Sequence, residues 1–177
     1  MNVVALLFLF SAGAVAQALL PTAPWLGQAH APILLSLSLY YALTRPRAAA
    51  LAAALAAGVL NDALGPIPLG YSSAGFAAAA LAVSRYREEV FVWRHVTHMI
   101  FGALSSAGVT LALAALLQAT GLVSLAPGQA ALKTAGAFVL GAATLPAVYA
   151  VGRRIDTMLG LAAPDSTAAR AWRSPLR

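Results

Sequence analysis

Six apolar segments recur along this chain: Val3–Leu20, Pro32–Thr44, Ala48–Leu64, Tyr71–Ser84, Val96–Leu117 and Leu132–Val151. Of the 177 residues, 61% are hydrophobic and 9% charged, too little charge to cover a soluble domain of this size. The longer runs approach the roughly 20 residues that cross a bilayer core about 30 Å thick. The sequence therefore describes an all-α polytopic membrane bundle of about six transmembrane helices. Residues 1–152 form a single transmembrane domain in this reading, and 153–177 a basic cytoplasmic tail. The second and fourth runs are short. Trp25–Ala31 is available to complete the second, with Pro32 as a kink, and the fourth can begin inside the preceding Pro-Gly loop and tilt.

Charge sets the orientation. Arg45 and Arg47 lie between runs two and three, and Arg85, Arg87 and Arg94 between four and five. Arg153, Arg154, Arg170, Arg173 and Arg177 follow run six. The other three connections carry only Lys133. Basic residues mark the cytoplasmic side, so both termini are expected there, as an even number of spans requires. The net charge of +6 is thus topological, and its scatter in small groups excludes a nucleic-acid-binding stripe.

Ala14-Val15-Ala16 resembles a signal-peptidase site. Against cleavage, no Lys or Arg precedes the first run, and apolar residues continue past Gln17 to Leu20. We read the segment as a retained first helix. The chain has no cysteine, which removes disulfides, thiolate metal sites and thiol nucleophiles together.

Within this background Gly58-Val-Leu-Asn61-Asp62 stands out, followed by Gly65-Pro66-Ile67-Pro68-Leu69-Gly70. Asp62 lies 14 residues beyond Ala48. At about 1.5 Å per residue it sits about 9 Å inside the far boundary of the core. A carboxylate at that depth faces protein or a polar cavity. Gly58, one turn earlier on the same face, leaves a bare strip of backbone beside it. The proline-glycine loop returns the chain as the start of the next helix, whose free N–H groups and dipole favour an anion. The expected arrangement is an Asp62 carboxylate, with Asn61 beside it, capping the fourth helix. Upstream, "AAALAAALAAG" offers small side chains for close helix approach. That face serves either another membrane protein or the bundle itself. Small-residue pairs such as Gly102/Ser106 carry no signal in a chain this rich in Ala.

Gly58, Asp62, Gly65, Leu69 and Gly70, followed by a small-residue helix, resemble the signature of the MreD family of rod-shape-determining membrane proteins. The chain is also similar to that family in its length, its six runs and the absence of a sizeable soluble part. It departs from the pattern in the two loop prolines and the Ala-rich third run. The resemblance implies a non-enzymatic subunit of the bacterial cell-elongation (rod) complex in the inner (cytoplasmic) membrane. The implied partners are an MreC-like membrane protein, an MreB-like actin filament and the peptidoglycan polymerase/transpeptidase complex. It implies no cofactor. Its architecture would resemble the substrate-binding S-component of energy-coupling-factor vitamin transporters.

Other constellations are weaker. Ser72, Ser73, His95 and His98 suggest an intramembrane protease, but the expected topology puts serines and histidines at opposite ends of the core, where no nucleophile–base contact forms. His95 and His98 lack a third metal ligand, and "RYREEVFVWRH" reads as an interfacial segment in which Arg85 and Glu89 pair. Pro146 is expected to kink the sixth helix. The tail, with Trp172 among arginines, is expected to combine contact with anionic lipid and disorder. Five acids leave no paired carboxylates for acid–base or metal chemistry. The leading expectation is a scaffold that packs against partner helices. The alternative is a vitamin-binding membrane subunit of an energy-coupling-factor-type transporter. For it the outer connections supply a thin set: Trp25, Gln28, His30, Tyr71, Thr120, Ser124, Gln129 and Lys133.

Overall fold

A computed structural model describes residues 3–22, 24–65, 68–86, 95–121, 126–158 and 160. The described residues form six α-helices: α1 (Val3–Leu19), α2 (Ile33–Thr44), α3 (Arg47–Leu64), α4 (Tyr71–Tyr86), α5 (His95–Ala119) and α6 (Pro127–Met158). A 3₁₀ turn, Pro24–Leu26, precedes α2. Three helices are long and apolar enough to cross a membrane: Arg47–Leu64, Val96–Ala119 and Pro127–Met158. Leu6–Leu19 and Ile33–Thr44 are shorter apolar helices.

Proline and glycine set the helix ends. Ile33 starts α2 directly after Pro32, whose carbonyl accepts the Ser36 N–H at 2.9 Å. The same helix stops at Arg45, held extended (φ −121°, ψ 164°) by Pro46. Arg47 then opens α3, with the Ala50 N–H bonded to the Pro46 carbonyl. The return from α3 to α4 ends at Gly70, whose φ of +104° belongs to glycine.

At the centre lies α2. Ten of its 12 residues, Leu34 through Leu43, are buried, and it packs against each of the other five helices. Twelve residues span about 18 Å, less than a bilayer core. The helix is not extended by Trp25–Ala31. Those residues form the 3₁₀ turn and a left-handed pair, Gly27 (φ 64°) and Gln28 (φ 57°), and Gly136 of α6 packs under the Leu26 carbonyl. Irregular backbone persists at membrane depth where protein covers it, which a central position provides.

The Ala stripe of α3 turns inward. Ala50, Ala53, Ala54 and Ala57 are at most 1% exposed, and α3 packs chiefly on α2 and α4. Of the two uses of this stripe, the bundle takes it. The opposite face carries exposed Leu55 and Val59. The closest pairing joins α5 and α6, where Gly102 and Gly141 meet: a Cβ on either would overlap the other's carbonyl. Ser106 and Leu145 flank this crossing.

Pro146 does not end α6, which runs unbroken through it to Met158 and so takes in Arg153, Arg154 and Asp156. Asp156 holds that end. It accepts a hydrogen bond from the Tyr40 hydroxyl at 2.6 Å and an ion pair from Arg45 at 2.8 Å. Tyr40 is fully buried, lies edge-on to Tyr41 and Tyr149, and covers Gly152. The segment 87–94 and the tail beyond residue 160 lie outside the described residues, as do the Arg85–Glu89 pairing and the lipid contact expected of them.

Candidate functional site: the Asp62 joint and the cavity beside it

At the end of the bundle opposite Arg45 and Asp156, four helices are tied through one polar cluster. Asp62, 2% exposed, accepts the Gly70 N–H on Oδ2 at 2.8 Å. The Ser72 N–H reaches Oδ1 at 3.1 Å and Oδ2 at 3.2 Å. The carboxylate thus satisfies two of the N–H groups that the start of α4 leaves without helical partners. Its charge also complements the positive end of the helix dipole. Carboxylate–amide bonds of this kind are stronger than neutral ones, which explains how a buried acid is tolerated.

Asn61 extends the cluster. Its Nδ2 donates to Ser72 Oγ at 2.9 Å, and its Oδ1 accepts from Gln17 Nε2 of α1 at 2.9 Å. Gln17 Oε1 in turn accepts the Leu34 N–H at the start of α2, at 3.0 Å. The chain Leu34–Gln17–Asn61–Ser72 ties α1, α2, α3 and α4. Gln17 is a residue that sequence reasoning overlooked. Its signal was modest: one amide side chain near the end of an apolar run.

Each residue singled out from the sequence has a definite place here. Gly58 faces α4, where a Cβ would overlap the Ser73 backbone, so the two helices touch without a side chain between them. The Ser73 hydroxyl donates to the Leu55 carbonyl at 3.3 Å across the same contact. The Gly65 N–H closes the end of α3 on the Asp62 carbonyl at 3.2 Å. Gly70 supplies the left-handed turn and an N–H for the carboxylate. Leu69, between them, is exposed. Four of the five thus build the joint, and Leu69 lies at its surface. Pro66 and Ile67 lie outside the described residues.

A cavity of about 900 Å³ opens beside this joint. Gln17 and Asn61 form part of one wall, Leu35, Phe76 and Val109 lie deep in it, and His30 and Lys133 stand at its exposed edge. Of the polar residues expected in the outer connections, His30 and Lys133 line this space; Ser124 lies outside the described residues.

Serine and histidine do not converge. Ser72 and Ser73 belong to the Asp62 joint, whereas His98 stacks on Tyr149 near the other end, with ring centroids 4.0 Å apart. Among the described residues no group of three His, Cys, Asp or Glu side chains is placed to hold a metal ion.

No protein-family model matches the chain, and no curated protein or solved structure shows significant similarity to it.

Proposed function

We propose that this chain is a non-enzymatic scaffold subunit of the bacterial cell-elongation complex, embedded in the inner membrane by six helices with both termini cytoplasmic. The observation that carries the reading is the use of the family-like motif. Gly58, Asp62, Gly65 and Gly70 together fasten α3 to α4, and their polar atoms are used in that joint rather than left free for chemistry. The Arg-rich end of the bundle faces the cytoplasm, so the joint lies on the outer side. The faces left for partner spans carry bulky apolar side chains, among them Leu55 and Val59 on α3 and Leu104 and Leu111 on α5. Packing of these faces against an MreC-like protein and the polymerase/transpeptidase complex is the mechanism, with an MreB-like filament reached from the cytoplasmic end. Depleting the chain from its own host tests this. Rod-shaped cells are expected to round and widen, and unchanged shape under complete depletion contradicts the reading.

The vitamin-transporter reading draws support from the cavity of about 900 Å³, within the size of small-molecule sites. Co-purification of an ATPase-driven transporter module would favour it over the scaffold.

A further inference from the structure

We propose that the cavity beside the Asp62 joint binds one single-chain amphiphile with an anionic headgroup, its acid at Lys133 and His30 and its chain between α4, α5 and α6. This site goes beyond the scaffold reading and stands or falls separately from it.

The lining is divided by polarity. Its deep part is apolar and buried, formed by Leu35 of α2, Phe76 of α4, Val109 of α5 and Ala137 of α6. Towards the rim stand Gln17, Asn61, His30 and Lys133. Among the described residues no acid belongs to the lining, and the formal charge they bring there is the Lys133 ammonium. Among the described residues Lys133 has no ion-pair partner. Among the described residues the acid nearest this end, Asp62, is buried and committed to the N–H groups of Gly70 and Ser72. The two amides at the rim add donors. Each uses one N–H in the Gln17–Asn61–Ser72 chain, and an amide nitrogen carries two. A cation and spare N–H donors at the rim of an apolar chamber select a ligand with acceptor oxygens and negative charge at one end and hydrocarbon at the other.

The backbone holds Lys133 in place. Gly27 packs against α6 where a Cβ would come within 2.8 Å of the Lys133 backbone nitrogen. The next residue, Gln28, takes a φ of 57°, an uncommon conformation for a non-glycine residue. This turn delivers Ala29, His30, Ala31 and Pro32 to the cavity wall. Backbone strain of this kind persists where surrounding structure fixes it, often at ligand sites. The volume of about 900 Å³ far exceeds what an inorganic anion fills.

Binding to the detergent-purified full chain is read by native mass spectrometry with four probes: hexadecanoate, hexadecyl phosphate, hexadecanol and inorganic phosphate. One or both of the C16 acids are expected to bind saturably at one per chain. Which of them binds more tightly tells a fatty acid source from a phosphate monoester. Hexadecanol is expected to bind at least about tenfold more weakly, for loss of one charge-assisted contact, and inorganic phosphate likewise, for loss of the chain that fills the apolar chamber. Lys133→Gln is expected to weaken the acids about tenfold and Lys133→Arg to retain them; both change an exposed side chain and leave the fold intact. Ala114→Phe, which fills the cavity, is expected to abolish binding, with circular dichroism and gel-filtration elution as the control for folding. Equal binding of hexadecanol, or full retention of the acids by Lys133→Gln, overturns the proposal. A photo-crosslinker at residue 113 in native membranes is expected to capture a lipid acid. Capture of a polypeptide there overturns it, because a protein segment then fills the space.

Discussion

Asp62 shows how one buried charge shapes a chain otherwise made of Ala and Leu. Its carboxylate is held by backbone N–H groups of Gly70 and Ser72, so its value lies in acceptor geometry as much as in charge. Asp62→Asn keeps one carbonyl oxygen and is expected to retain most of the folded protein. Asp62→Leu orphans both N–H groups at about 1–3 kcal/mol each. It is expected to reduce the monodisperse yield and to lower the melting temperature well below that of the Asn variant. Equal loss for both variants would contradict the cap. Gly70→Ala places a Cβ at φ +104° and is expected to cost about 1 kcal/mol or more by the same melting measurement. The cap was legible in the sequence because its parts are local. An acid, an intervening loop and a helix start within ten residues can be placed by spacing alone. The partner of Asn61 was not legible, because Gln17 reaches it from 44 residues away.

At the scale of helices, positions were readable and neighbours were not. Hydropathy and the prolines and glycines place five of the six helices within a few residues of the observed ends; α6 instead begins five residues before Leu132, at Pro127, and extends past Val151 to Met158. Arg153 and Arg154 looked like the start of a tail. The helix continues because Asp156, one turn further, finds Tyr40 and Arg45 on α2 and the bend after it. Tyr40→Phe removes a hydrogen bond to a charged acceptor. It is expected to cost about 1.5–3 kcal/mol, read as a lower melting temperature in detergent. The Gly102–Gly141 crossing was invisible for a different reason: where most residues are small, no small pair is distinctive. Gly102→Leu forces α5 and α6 apart and is expected to cost about 1–3 kcal/mol or to prevent folding, while Gly108→Ala, with open space at its Cβ, is expected to be tolerated. Comparable losses for these two would mean that α5 and α6 do not meet there.

For the whole molecule, the central position of α2 explains features that look unrelated in sequence. A helix of 12 residues suffices because five others surround it, and the irregular chain before it is covered by α6. The cavity arises where α2 falls short of the bundle's end, so no single segment encodes it. Because the chain has no cysteine, single substitutions report topology on a clean background. Thr120→Cys is expected to react with a membrane-impermeant maleimide added outside intact spheroplasts, and Arg47→Cys only after lysis. The reverse pattern would invert the bundle and place the Asp62 joint inside the cell. The scaffold proposed here works by holding partner proteins. The most direct measurement is mild detergent extraction of the tagged chain from its native membrane, followed by mass spectrometry of the proteins recovered with it. Stoichiometric recovery of an MreC-like protein and a peptidoglycan polymerase is the predicted result, and recovery of the folded chain without either would contradict it.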